Sequence, residues 1–194
     1  MNLNLIITSV AVMCVLTVRA EDDNVQHHTK FTKLGEGKIT QYVGRDIHHH
    51  VRAGDLESKI ALFEETLPPK SLGAPPHRHD NEDEIFIVLK GTVHFLNKDK
   101  EIKGDAGTIA ALPRGHLHGF WNPYDEPAHL LVVVTPGHFE KFFEAVETAM
   151  QNAPNATPEQ IGAIIAQETA NMNVHVDMSK LPASARELLA PSEN

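Results

Sequence analysis

Gly73-Ala74-Pro75-Pro76-His77-Arg78-His79-Asp80-Asn81-Glu82-Asp83-Glu84 runs directly into Ile85-Phe86-Ile87-Val88-Leu89-Lys90-Gly91. Side chains alternate on an extended chain, so His77 and His79 point to the same face and two imidazoles converge on one point. The polar residues Asp80 to Asp83 can turn the chain, and Glu84 then opens the next strand as an oxygen ligand beside them. Glu82 competes for that role, but it sits in the acidic turn and is read as solvated.

A second stretch, from Gly107 through Leu112-Pro113-Arg114-Gly115-His116-Leu117-His118-Gly119-Phe120-Trp121-Asn122, adds another histidine on a strand. His116 shares strand parity with His118 and is either a partner behind the ligands or simply exposed. Three imidazole nitrogens and one carboxylate suit a six-coordinate first-row ion with two positions open to water, O₂ or a substrate oxygen. The remaining histidines have no such pattern. Neighbours on a strand face opposite ways, so His48-His49-His50 cannot grip one ion and is read as surface. His94, His129 and His138 lack a His or carboxylate partner at useful spacing and are read as structural.

From Lys38 to Thr135, short runs rich in aliphatic and β-branched residues alternate with Gly, Pro, Asp and Asn clusters. Ile60 to Glu64, Ile85 to Leu89, Thr92 to Leu96, Thr108 to Leu112 and Leu130 to Thr135 read as strands of an all-β sandwich or barrel. Asn97 to Lys100 and Lys103 to Gly107 read as hairpin turns. Phe86, Phe120 and Trp121 read as barrel core. After Pro136 the period changes: Phe139, Phe142, Phe143 and Val146 recur at helical spacing and predict a helix covering the barrel. Thr157-Pro158-Glu159-Gln160 announces a second helix by a capping box, with Ile161, Ile164 and Ile165 as its buried face. Asn155-Ala156-Thr157 between them is a glycosylation sequon.

The chain of 194 residues has 26 acidic against 17 basic side chains, net charge −9 and 41% apolar residues. That is enough for one well-buried domain and too acidic for a phosphate-binding surface, so no nucleic-acid partner is expected. Cys14, the lone cysteine, excludes an internal disulfide or a thiolate zinc cluster. Leu5 to Val18 is an uncharged run too short to span a bilayer, and Val18-Arg19-Ala20 suits signal peptidase. The expectation is a signal peptide over 1–20, a secreted protein, or a periplasmic one if bacterial, and no membrane association after cleavage.

The two histidine stretches resemble the paired motifs of the cupin superfamily. His77, His79, Glu84 and Gly91 fall into the first; Gly107, Pro113, Gly115, His118 and Asn122 fill the second. Ser71 holds the first glycine position, with Gly73 two residues later. The Glu36-Gly37 opening, the Pro-Pro before His77 and the Phe-Glu-Lys-Phe-Phe run also resemble single-domain quercetin 2,3-dioxygenase-like cupins. The resemblance implies a mainly β fold, the double-stranded β-helix or jelly-roll barrel, over 36–136, with a C-terminal helical extension over 137–194. It implies His77, His79, Glu84 and His118 as ligands of a divalent transition ion (Fe, Mn, Ni or Cu), and Glu84 as the catalytic base for a flavonol hydroxyl. A small-molecule substrate and O₂ would be the partners, and the resemblance allows a homodimer. The alternatives are a metal-dependent isomerase or lyase of sugar or keto-acid type and a non-catalytic binding cupin. Germin-like oxalate oxidation is disfavoured, because the N-terminal cysteine pair of those proteins is missing.

Overall fold

The structure is a computed structural model that describes residues 27–189; the leader read at 1–20 and Cys14 lie outside the described residues. Alternation decides the strands. In Ala128–Thr135 (β10), Ala128, Leu130, Val132 and Val134 are buried and the residues between them only half-buried. Asp83–Lys90 (β5) repeats the pattern with Glu84, Phe86 and Val88 inward. The other strands of the barrel are Lys38–Tyr42 (β1), Arg45–Val51 (β2), Ala61–Leu67 (β3), Ser71–His79 (β4), Thr92–Asn97 (β6), Lys100–Asp105 (β7), Ile109–Leu112 (β8) and His118–Asn122 (β9).

Every strand pairs antiparallel. One sheet has the order β1-β2-β3-β10-β5-β8; the other runs β11-β4-β9-β6-β7, where β11 is Val174–Val176. The chain changes sheet between β3 and β4, β4 and β5, β5 and β6, β7 and β8, β8 and β9, and β9 and β10, which gives the jelly-roll double-stranded β-helix. Phe63, Phe86, Val88, Phe95, Phe120 and Leu130 fill the space between the sheets. Each buried side chain of this size contributes about 1.5–3 kcal/mol, so such a core needs no disulfide.

Glu140–Asn152 (α1) buries Phe142, Phe143 and Val146 as the period predicts. Pro158–Asn171 (α2) starts at the expected capping box: Thr157 Oγ1 accepts from the Gln160 amide, and Gln160 Oε1 accepts from the Thr157 amide at 2.8 Å. Ile161, Ile164 and Ile165 are only half-buried, because α2 leans on the barrel along one edge instead of seating in it. The segment after 137 is not helical throughout. β11 returns to pair with β4 at Val174↔His79 and Val176↔His77, and the short helix Ala183–Arg186 (α3) closes a second core around Trp121, Leu96 and Leu181. Among the described residues, no helix is long and apolar enough to cross a membrane.

Three other sequence expectations are corrected. Lys103-Gly104-Asp105 belongs to β7, not to a turn; Gly104 lies against Phe95, where a Cβ would come within 2.8 Å of the ring. His49 and His50 are buried rather than on the surface, because β2 is an inner strand covered on both faces. His49 packs on Phe63 and Phe143, while His50 faces Thr32 and Glu64 on the opposite side. His94 and His129 do have partners: Glu101 on the adjacent β7 and Tyr124 in the loop after β9 for His94, Glu64 on β3 at 2.8 Å for His129.

Burial, with Arg52 adding to it, pushes the His49 pKa down to about 4. The unfolded chain takes up this proton near pH 6.5 and the native chain does not, so native stability falls as pH drops from 6.5 towards 4. His49→Gln, which keeps a partner for Thr40, is expected to lose less stability between pH 7 and 4.5, by on the order of 2 kcal/mol. Urea titrations at the two pH values check this, and an equal loss in both proteins would contradict it.

Candidate metal centre

Four side chains meet between the two sheets. His77 and His79 come from the end of β4, His118 from the start of β9 and Glu84 from β5 in the opposite sheet. The pairing His77↔His118 sets two of the rings side by side. Gly115, with φ +74°, donates its amide to the His79 carbonyl at 2.7 Å and ties the two motif segments together. All four residues are buried, and one donor atom from each lies within 4.8 Å of the others.

Each ring is turned by its Nδ1. His77 Nδ1–H donates to the Pro75 carbonyl at 2.8 Å, and His118 Nδ1–H donates to the His116 carbonyl at 2.9 Å. A carbonyl only accepts, so these two rings carry their proton on Nδ1 and turn the Nε2 lone pair inward. His79 Nδ1 lies 3.1 Å from a Glu82 carboxylate oxygen, which fixes the same tautomer. The inward atoms then crowd: His77 Nε2 and His79 Nε2 are 3.1 Å apart, and Glu84 Oε2 is 3.0 Å from His118 Nε2 and 3.6 Å from His79 Nε2. Lone pairs facing one another at such distances call for a cation, and edges of this length fit ligands sharing one ion through bonds of about 2.1 Å. The donor set therefore fits a divalent transition metal.

Charge agrees with geometry. Burial, with His118 beside it, drives the His77 pKa down to about 3, so its ring is neutral near pH 7. Burial alone would raise Glu84, but the rings of His118, His79 and His77 around it outweigh it and hold the carboxylate at about 2. A neutral imidazole and an ionised carboxylate are the states that ligation requires. His79 moves the other way: burial lowers it, yet Glu82 and Glu84 together raise it above its ordinary value.

The sequence reading of Glu82 is corrected here. Its side chain is 3% exposed and aims His79, because the acidic turn folds under the barrel and Asp80 is pinned to the Asn173 carbonyl at 3.2 Å. His116 is exposed and serves the site only through its carbonyl. Asn122 anchors the far end of β9: fully buried, it donates to the carbonyls of Pro68 and Glu126 at 2.9 and 2.8 Å. Gly73 lies within β4 against Phe120, whose ring a Cβ would meet at 2.2 Å.

A small cavity beside His77 and Glu84 is walled by Phe63, Phe86, Phe120, Phe139, Phe142 and Phe143, together with Tyr42. The Phe139 ring stands edge-on to His79 at 4.7 Å. The same wall holds an ion pair the sequence reading missed, Arg45 to Glu65 at 2.9 Å, with Arg45 also over the Tyr42 ring at 5.2 Å. Shared parity of Phe63 and Glu65 along β3 was the available signal.

Residues 63–134 match the cupin domain family (Cupin_2). Among solved structures, the chain is similar to a sugar phosphate isomerase from a cupin superfamily of Silicibacter pomeroyi, at 28% identity over 47% of this chain and 59% of that one, with TM-score 0.42. It is similar to a predicted oxalate decarboxylase from Thermotoga maritima at 24% identity, over 46% of this chain and 78% of that one, with TM-score 0.44. The polyketide cyclase RemF from Streptomyces resistomycificus shares 23% identity over 55% of this chain and 79% of its own, with TM-score 0.48. The chain thus spans 59% of the length of the isomerase. No curated protein matches it. The domain match, which lies within β3 to β10, supports the cupin superfamily and a cupin-like jelly roll; the C-terminal helices lie outside the matched residues.

Proposed function

We propose that the protein is a secreted, metal-dependent oxidoreductase that uses O₂ to oxidise a flavonol-like or other phenolic small molecule, with His77, His79, Glu84 and His118 as the metal ligands. The observation that carries this reading is the wall beside His77 and Glu84, built largely from six phenylalanines and a tyrosine. Aromatic faces stack on a planar ring and keep water out, whereas a sugar or a keto acid needs polar partners. Arg45, the one cation in that wall, is already matched by Glu65. A bound iron, manganese, nickel or copper ion would supply Lewis acidity toward a substrate hydroxyl and a route to O₂ chemistry.

The chain's own residues do the rest. Pro75, His116 and Glu82 hold the three imidazoles with Nε2 inward. Glu84 is the acceptor for the proton of the substrate hydroxyl. A carboxylate held at about 2 is a weak base, so it takes that proton only from a hydroxyl already acidified at the site. The phenylalanines position the ring.

Anaerobic purification with metal analysis, followed by oxygen-electrode assays against quercetin, catechol and oxalate, tests the reading. O₂ uptake with the flavonol in proportion to bound metal is expected. Turnover that consumes no O₂ would replace the reading with an isomerase or lyase, and turnover by metal-stripped protein would end it.

A further inference from the structure

Three cavities follow one another from the surface to His77. The outermost is a cleft of about 590 Å³ between α2 and the β1–β2 turn, floored by the first residues of β4. The next, about 80 Å³, shares Tyr42, Gly73, Pro75, Ile165 and Val176 with the cleft and has His77 in its wall. The innermost, about 60 Å³, shares Tyr42, Gly73, Ala74 and His77 with the second and reaches Glu84. Neither inner space is large enough for a ring system of drug size, which occupies a site of roughly 300–1,000 Å³; the cleft is.

The chemistry of the cleft is uniform. Val176, Met178, Leu189 and Val43 are about half exposed around it, an unusual concentration of apolar side chains at one surface. Arg45 is its one charged residue, and Glu65 neutralises it at 2.9 Å. An anionic or strongly polar ligand would find no counter-charge there.

We infer that this cleft is the outer half of the ligand site and takes the bulk of an uncharged, planar aromatic molecule. The hydroxyl-bearing end of that molecule reaches His77 and Glu84 through the two inner cavities. The choice of a phenolic ligand rests on the proposed function; the cleft and its continuity with His77 do not. The Arg45–Glu65 pair and Tyr42 stand where the cleft meets the barrel, so the ligand passes a neutral, aromatic threshold.

Gly162 offers a clean test. It lies on α2 in the wall of the cleft, and a Cβ there meets nothing within 4 Å. Replacing a helical glycine also removes a residue that disfavours the helix, so the variants fold. Quercetin binding to metal-stripped protein under argon, read by equilibrium dialysis, is expected to weaken at least tenfold in Gly162→Trp and to stay within twofold in Gly162→Ala. The inference is overturned if wild-type protein does not bind quercetin or if Gly162→Trp binds it as well as wild type. It is also overturned if size-exclusion shows that the tryptophan dissociates a dimer, which would assign the cleft to a second copy. Oxygen uptake by the same variants carrying their metal keeps the two readings apart: tenfold weaker binding in Gly162→Trp with no O₂ uptake by any metal-loaded protein supports the cleft and ends the dioxygenase reading. Unchanged KM and O₂ uptake in Gly162→Trp does the reverse.

Discussion

His118→Ala is expected to reduce bound metal from about one ion per chain to less than a tenth of that, and to abolish O₂ uptake with it, while the barrel stays folded. The ring meets Glu84 at 3.0 Å and His77 at a centroid distance of 4.3 Å, so its loss opens one side of the cluster and leaves the buried Glu84 carboxylate short of a partner. The strand itself is held elsewhere, by Phe120 and Trp121 in the two cores and by Asn122 on the Pro68 and Glu126 carbonyls. Far-ultraviolet circular dichroism should therefore change little while metal analysis changes completely. Glu82→Gln sharpens the test, since it keeps all four inner donors and alters only the group behind His79. Loss of such an outer partner lowers metal affinity about tenfold or more. Chelator competition reads that difference, and wild-type affinity in both variants would remove the metal centre from the protein.

Arg45→Met is expected to destabilise the fold by about 3 kcal/mol, because it strands a carboxylate that the barrel has already taken out of water. Arg45 and Glu65 are 11% and 6% exposed, and the guanidinium also reaches the Gly73 carbonyl at 3.4 Å. Burial raises the Glu65 pKa even with Arg45 beside it. Without Arg45 the carboxyl must stay protonated to remain inside. Its folded pKa then lies further above the unfolded value near 4.5, and stability is lost as pH rises through the folded pKa. The variant should accordingly be weaker at pH 8 than at pH 5.5, and Arg45→Met with Glu65→Gln should recover most of the loss. Urea unfolding at both pH values measures this; equal stability of the single variant and wild type would show that the pair is solvated.

The gathering of His77, His79, Glu84 and His118 was legible because its rules are local. His77 and His79 share a face by strand parity, and the Gly115 turn places His118 with a spacing that survives in the folded chain. The capping box at Thr157 was legible for the same reason. What escaped was set by covering layers. Parity correctly separates His49 from His50, but it does not reveal that α1 covers one face of β2 and the segment around Thr32 the other. Glu82 sits in a run of acids that by composition belongs in water, and only its contact with His79 draws it inside. Arg45 and Glu65 come from different strands, and two adjacent glutamates in β3 look alike until Glu64 turns to His129 and Glu65 to Arg45.

His77 and His118 both take their orientation from a carbonyl two positions earlier in the chain, Pro75 and His116. No exchange of a neighbouring side chain alters those bonds. Selection can therefore redraw the aromatic lining without swinging those two rings away from the cluster, so descendants of this scaffold are free to reshape the cavity while inheriting the same imidazole orientations.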